Sequence, residues 1–300
     1  MAVRLFEGEE HAKSYWKYRI SPSEELIGKV LQFHTRNKHS ASDLAVDVGC
    51  GSGQGTLESP AEDLPFPDVS VDLVTAMSAF HWFDHSRFLQ EADRVLKPHG
   101  SLALLNYTMD IQLSYGDCSE TLNQICNEFY AALHPFRHPY LGSSSFILYK
   151  KTFESLQYPV KEWHDTFWVR KTVPLSGYMG MVQSFSAFQA LLKKDPEEAR
   201  RLSLNIEQRL MTAMDVTSPE TEVIMEVKYF YFLAQKPAND LKFAVSHQGA
   251  ALLQSYGNTC AQKSDKPKQR GVPTAQQRAD TSWHLITDIA AKVMHRPPIK

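Results

Sequence analysis

The sequence has few of the features that mark a metal-binding, disulfide-stabilised or membrane-spanning protein. Its 300 residues include only four cysteines, with no CxxC pair and no histidine cluster at zinc-ligand spacing. This pattern indicates neither a metal site nor a disulfide framework. No apolar run approaches the roughly 18 residues of a membrane span, and the acidic N-terminal stretch lacks the apolar core of a signal peptide. We therefore expect a soluble, cytoplasmic protein that binds no metal and no membrane.

An excess of charge of one sign is also absent. The formal net charge is −2, so the overall balance does not favour a polyanion such as nucleic acid as partner. Hydrophobic residues make up 43% of the chain and aromatic residues 11%, which is enough to bury a substantial core. The composition predicts a globular protein of one or two domains.

Apolar periodicity predicts a βαβ core near the N-terminal side. Ser21 or Ser23 can cap a helix over SPSEELIGKVLQFH, and short apolar runs at 43–48 and 71–76 suit strands that are buried on both faces. The segment FLQEADRVL is apolar at helical spacing and precedes the strand-like SLALLNY. Strand, helix and strand in this order predict a parallel βαβ unit.

The remainder of the chain predicts a helical cover and a polar tail. Helical periodicity is strongest at 120–133 and 197–214, an extended aromatic piece lies at 163–169, and 222–235 is typical of a late strand. After Lys236 the composition favours disorder, with a short amphipathic stretch at 283–294 that could become helical. The predicted units are an N-terminal helical segment at 1–40, a cofactor-binding core at 41–108, a cover with closing strands at 109–236, and a basic tail at 237–300.

A glycine-rich turn, DVGCGSGQG, follows the first predicted strand. Glycine at every second position of Gly49–Gly55 allows a sharp turn and close approach of a ligand to the backbone. A dinucleotide fingerprint would need glycine where Gln54 or Thr56 stands, and a P-loop would need a lysine that is absent here. Both phosphate-binding patterns, and with them a nicotinamide dehydrogenase, are disfavoured.

The stretch from Asp47 to Gly53, DVGCGSG, resembles the first motif of class I S-adenosylmethionine-dependent methyltransferases, specifically the type 11 group. The run SPAEDLPFPDVSVDLVTAMSAFHWFDHSRFLQEADRVLKPHGSLALLNY follows that group's pattern through its fourth and fifth strands, and FEGEEHAKSYWKYR resembles its N-terminal segment. The resemblance covers roughly residues 6–236 and is closest to small-acid methyltransferases of the trans-aconitate type. It implies a Rossmann-like α/β sheet and S-adenosylmethionine as cofactor.

The resemblance also implies a set of cofactor-binding residues. Asp47 would accept a hydrogen bond from the cofactor's ammonium group, and Glu62 one from the adenine amine. Each also has a simpler interpretation, as a turn carboxylate and as a solvated loop acid. The implied set is Tyr15, Arg19, Asp47, Gly49, Cys50, Gly51, Gly53, Ala61, Glu62, Ala79, Phe80 and His81.

For the methyl acceptor the implied residues are fewer. His81 and Trp82 follow a strand at the edge where ligands of this architecture bind, although such a pair also suits core packing. Arg137 and Arg170 could each bind a substrate carboxylate through two hydrogen bonds, although isolated arginines are more often solvated. No residue is assigned as catalytic, because methyl transfer depends mainly on proximity and orientation.

Part of the family pattern is missing after the glycine turn. Between Gly55 and Ser59 stand only three residues, where the family has a helix, its second strand with a ribose-binding acid, another helix and a third strand. A parallel crossover needs at least about 10 to 12 residues. We therefore expect a reduced sheet without the second and third strands, with the strand at 222–235 at its edge.

Two functions follow from these expectations. The first is S-adenosylmethionine-dependent methyl transfer to an oxygen or nitrogen of a small molecule, possibly a carboxylic acid, with an impaired cofactor site. The alternative is a non-catalytic methyltransferase-like protein that acts by binding, if at all. Nothing in the sequence names the acceptor.

Overall fold

The computed structural model describes Tyr18 and residues 22–36, 44–49, 57–109, 111–238 and 290–295. In these residues an eight-stranded sheet is flanked by helices. The helices are α1 (Glu24–Thr35), α2 (His85–Val95), α3 (Ser119–Leu133), α4 (Ser143–Ser155), α5 (Leu175–Ser184), α6 (Ser186–Lys194) and α7 (Pro196–Ala213). In this part of the chain, no helix is both long and apolar enough to cross a bilayer.

The strands are β1 (Ala45–Val48), β2 (Leu57–Ser59), β3 (Val71–Met77), β4 (Leu96–Tyr107), β5 (Gln112–Ser114), β6 (Val160–Pro174), β7 (Glu222–Gln235) and β8 (Ala290–His295). Their order is β2-β8-β1-β3-β4-β7-β5, and β6 pairs with β7. The pairs from β2 to β4 are parallel, whereas β7 is antiparallel to β4, β5 and β6. This is the predicted Rossmann-like α/β sheet.

Local sequence signals explain several of these elements. The Ser23 hydroxyl accepts a hydrogen bond from the Leu26 backbone N–H at 3.2 Å, which caps α1 as predicted. The Asp84 carboxylate caps α2 in the same way through the Arg87 N–H at 3.2 Å. All seven residues of β3 are buried, as expected for a parallel strand covered on both faces.

Two apolar layers hold the sheet between helices. The first layer takes Tyr229, Tyr231 and Leu233 from one face of β7 and packs them against α1, α3, α5, α6 and α7. The second takes Phe230 and Phe232 from the opposite face and packs them against α2 and α4. The alternation follows from the two-residue period of a strand. The helical cover is therefore present on both faces.

Two expectations about the sheet are wrong. Leu57–Ser59 forms a strand, and Ala290–His295 forms another between β1 and β2, so the sheet is not reduced to the predicted number of strands. β7 is not an edge strand, because β4 and β5 pair with one side of it and β6 with the other. In the amphipathic stretch at 283–294, which was expected to lie in a disordered tail and to become helical only on contact with a partner, residues 290–294 are extended.

Candidate active site

The candidate site lies where parallel strands end. β1 and β3 run side by side with Asp47 opposite Thr75, so the residues after both strands meet at one edge of the sheet. Gly49 follows β1 with a φ of +78°, and a Cβ added there would lie 2.5 Å from the Ala79 Cβ and 3.1 Å from the Phe83 ring. Gly49 therefore packs directly against the loop after β3. Ligands of open α/β sheets bind at this edge.

Asp47 is the charged residue of β1. Its side chain is buried, and Oδ1 accepts a hydrogen bond from the Thr75 hydroxyl at 2.7 Å. A buried carboxylate needs such partners because desolvation of an ionised group is costly. The contact holds the Asp47 carboxylate in a defined position one residue before the end of β1.

Ala61 and Glu62 follow β2. Ala61 is fully buried in the second apolar layer. Glu62 Oε1 accepts a hydrogen bond from the backbone N–H of Asp84 at 2.7 Å, so this acid joins the segment after β2 to the start of α2. Burial raises the pKa of the Glu62 carboxyl. Glu62 is thus more than a solvated loop acid.

The loop after β3 turns at Phe80–Trp82 in a single 3₁₀ turn. The Phe80 ring is fully buried and lies 5.7 Å from the Phe88 ring and 5.3 Å from the Tyr149 ring, centroid to centroid. Its side chain belongs to the core. A part in cofactor binding would therefore have to come from the Phe80 backbone.

His81 is buried beside the end of β4. Asn106 Oδ1 accepts from the Tyr107 N–H at 2.9 Å, which orients the amide so that its Nδ2 lies 3.5 Å from His81 Nδ1. An amide N–H that donates to Nδ1 would leave the ring hydrogen on Nε2. Burial, followed by the neighbouring His85 and His138, lowers the pKa of His81 to about 3. The imidazole is therefore neutral at physiological pH.

A run of rings continues outward from His81. The Trp82 ring lies 4.8 Å from the His81 ring and 4.9 Å from the His138 ring, and His138 lies 4.8 Å from Tyr140, all between centroids. Trp82, His138 and Tyr140 are partly exposed. Arg137 precedes His138, and its Nε is buried with no hydrogen-bond partner among the described residues. The structure thus brings Arg137 into the segment that contacts Trp82.

Arg170 has a different environment. It stands opposite Glu226 across the β6–β7 pair, and its Nε donates to the Glu226 carboxylate. The Arg170 side chain is 76% exposed. This is an ordinary cross-strand ion pair, and its arginine already has an anionic partner.

Five predicted cofactor residues lie outside the described residues: Tyr15, Arg19, Cys50, Gly51 and Gly53. Tyr18, which lies between Tyr15 and Arg19 in the sequence, is described. Its ring lies 2.7 Å from the position that a Cβ added to Gly180 in α5 would occupy. Within the described ranges, no group of three or more His, Cys, Asp or Glu side chains could hold a metal ion.

Two residues of this edge were missed by sequence reasoning. Asn106 is the penultimate residue of β4, and its Nδ2 lies 3.5 Å from His81 Nδ1. Ser78 follows β3 with a φ of +51°, and its buried hydroxyl has no hydrogen-bond partner among the described residues. A left-handed non-glycine residue at a strand end is uncommon and often functional. Their position at the ends of apolar runs could have marked them as candidate site residues. Their side-chain contacts, however, depend on the fold.

Comparisons with known proteins agree with the fold and with the resemblance to methyltransferases. A methyltransferase-domain family matches residues 54–104. A Dictyostelium discoideum protein named as a methyltransferase is 23% identical over 250 residues, covering 71% of this chain and 88% of its own length. An uncharacterized methyltransferase of Mycobacterium tuberculosis is 44% identical over 59 residues, 20% of this chain and 24% of the relative.

Among solved structures, one designated a type II methyltransferase from Anaeromyxobacter dehalogenans superposes with a TM-score of 0.51. It is 19% identical in sequence, and the match covers 76% of this chain and 97% of that one. At this identity the likeness concerns the fold.

Proposed function

The chain is a class I S-adenosylmethionine-dependent methyltransferase in family and fold, and from this premise we propose that it methylates an oxygen or nitrogen of a small molecule, preferably a carboxylate. The observation that supports the proposal is the direct packing of Gly49 against Ala79. It brings the start of the predicted cofactor turn into contact with the loop after β3, at the edge of the sheet where ligands of this architecture bind.

The described residues suit the cofactor. A carboxylate can accept several hydrogen bonds at once, so the bond from Thr75 to Asp47 is compatible with a second bond from the cofactor's ammonium group. Gly49 gives the turn without a side chain, Ala61 and Glu62 would border the adenine, and Ala79 to His81 would form the opposite wall. When bound, the cofactor supplies a sulfonium methyl group that is already activated for in-line displacement.

The protein's part is then to place the acceptor. Trp82 and His138 offer partly exposed rings, and Arg137 offers a guanidinium that can hold a carboxylate by two hydrogen bonds. His81 is an unsuitable general base, because its pKa of about 3 lies far below neutral pH. A carboxylate acceptor is already anionic and needs no base, and this favours it over an alcohol.

The proposal is tested by calorimetric titration with S-adenosylmethionine and by transfer of labelled methyl to panels of small carboxylic acids, amines and alcohols. Asp47→Asn keeps the size of the side chain and removes its charge, so cofactor affinity should fall by about 10- to 100-fold. Arg137→Gln should raise KM for the acid by about tenfold or more and leave cofactor affinity unchanged. Arg200→Gln, on the exposed face of α7, is the matched control.

Two results would redirect the proposal. If Arg170→Gln raises KM and Arg137→Gln does not, the acceptor lies over the β6–β7 pair. If the chain shows no measurable affinity for S-adenosylmethionine, the alternative of a non-catalytic binding protein is favoured. The specific observation behind that alternative is the short link between β1 and β2, which has only the eight residues 49–56.

A further inference from the structure

The position of β8 in the sheet is the most unusual feature of the fold. Ala290–Val293 pairs in parallel with Ala45–Val48 of β1, and Val293–His295 pairs in parallel with Leu57–Ser59 of β2. β2 is the terminal strand of the sheet order, so its strand pairing runs through β8. A segment more than two hundred residues further along the sequence therefore joins two strands that are close neighbours in the chain.

The register explains how a short link can connect β1 to β2. Val48 and Leu57 both pair with Val293, so β2 begins level with the end of β1. The link has only to pass over one strand, a sideways distance of about 10 Å at about 4.8 Å per strand spacing. Residues 49–56 can reach about 26 Å at about 3.3 Å per residue. No return crossover is needed, and one strand position is left open between β1 and β2.

An empty position there would be costly. All four residues of β1 are buried, and an unpaired backbone N–H or C=O in a buried place costs free energy comparable to a lost hydrogen bond. Both β1 and β2 would also present open edges. An extended segment that adds to both edges satisfies these groups, which is the physical basis of strand addition.

We propose that the gap between β1 and β2 is a strand-acceptor groove and that the chain's own C-terminal segment, residues 290–295, is its occupant. The segment replaces a sheet strand that the short link at 49–56 omits. Because β8 continues two residues past the end of β1, the chain leaves it at the same edge as Asp47 and Gly49. The consequence for the cofactor site rests on the proposed function, whereas the strand replacement does not.

The test compares two truncations of the full chain. Removal of residues 290–300 deletes the strand, and removal of 297–300 is the matched control that keeps it. Native-state hydrogen exchange should become at least about tenfold faster at the amides of β1 and β2 in the first variant, with no change in the second. The amides of β3 and β4 are internal references. A peptide of residues 286–300 should bind the first variant and restore protection of β1.

A substitution covers the case in which the truncated chain does not fold. Proline at a central strand position removes a ladder hydrogen bond, so Val293→Pro in the full chain should accelerate exchange in β1 and β2, and Ile299→Pro should not. Unchanged exchange with both Val293→Pro and the longer truncation would overturn the inference. So would a dimer that becomes monomeric on truncation, because the strand would then come from a second copy.

Titration with S-adenosylmethionine separates this inference from the proposed function. Faster exchange without cofactor affinity in the intact chain would support the strand replacement and remove the proposed function. Cofactor affinity in the intact chain, with exchange unchanged by both variants, would support the proposed function and remove the strand replacement. If the intact chain binds the cofactor and the two variants accelerate exchange, the longer truncation should weaken cofactor affinity by about tenfold or more. Loops that the strand holds in place in the intact chain would then have to be ordered on binding.

Discussion

The two halves of the sheet differ in how they are built. On one side β3, β4, β7 and β6 have 7, 12, 14 and 15 residues, the short β5 of 3 residues pairs with β7, and all five come from one continuous region of the chain. On the other side β1, β2 and β8 have 4, 3 and 6 residues and come from opposite ends of the described chain. The long-strand half contributes most residues of the two apolar layers and an extended hydrogen-bond ladder, so most of the stability should reside there.

The candidate site lies on the boundary between these halves. Asp47 and Gly49 belong to the short-strand half, whereas Ala79, His81 and Trp82 follow a strand of the long-strand half. A site of this kind has one wall on the densely packed part of the fold and one wall on the part with fewer strand residues. Regions with few buried contacts open at lower free energy, so ligand binding should protect the short-strand half most.

The largest expected effect comes from the core of the long-strand half. The Phe230 side chain is 1% exposed and contacts the rings of Phe146 and Tyr149 at 5.1 and 5.3 Å between centroids. Phe230→Ala should lower the free energy of unfolding by about 3 to 5 kcal/mol. Urea denaturation measures this, with the exposed Leu204→Ala as control, expected within about 0.5 kcal/mol. If Val46→Ala in β1 costs as much, the comparison of the halves is wrong.

The boundary itself is tested by alanine at two glycines with positive φ. Gly49→Ala meets both an unfavourable φ and the Ala79 Cβ, whereas a Cβ at Gly116, φ +46°, meets nothing within 4 Å. Gly49→Ala should destabilise by about 2 to 4 kcal/mol and Gly116→Ala by about 1 to 2. Thermal and urea unfolding give both values. Equal costs would mean that the turn does not pack on Ala79 in solution.

Acid should act through two buried histidines beside the boundary. Burial lowers the pKa of His81 to about 3 and that of His85 to about 4. Since the unfolded state binds the protons first, stability is full above about pH 6.5 and falls as pH drops toward these values, by up to about 1.4 kcal/mol per unit per group.

The corresponding measurement is the unfolding free energy at pH 6.5 and pH 5. His81→Gln should remove about 2 kcal/mol of the loss over this interval. A His81→Gln profile parallel to the original would show that His81 is not held neutral by burial.

The smallest effect is expected at the outer side of the long-strand half. The Arg170–Glu226 pair has one partner 76% exposed, and exposed pairs contribute about 0 to 1 kcal/mol. A double-mutant cycle with Arg170→Gln and Glu226→Gln should give a coupling of about 0.5 kcal/mol. A coupling above about 2 kcal/mol would indicate a pair that is far less solvated than its exposure implies.

Sequence patterns were most reliable where an element is long and periodic. β7 has the predicted bounds of Glu222–Gln235, and α3 begins one residue before the predicted Glu120. α4, α5 and α6 were anticipated only as parts of a helical cover. β2 could not be predicted, because three residues carry no periodicity and a strand of that length exists only through its partner.

The sequence by itself determined the resemblance to methyltransferases, because the DVGCGSG motif, the apolar run of β3 and the segment after it are local patterns of residues. The tertiary structure decided what those patterns face. Gly49 packs on Ala79, and Arg170 forms an ion pair with Glu226. Arg137 precedes His138, whose ring contacts Trp82. Above all, the tertiary structure paired AAKVMH with β1 and β2, because strands that are distant in the chain pair through backbone hydrogen bonds, and a local sequence pattern does not specify the partner strand.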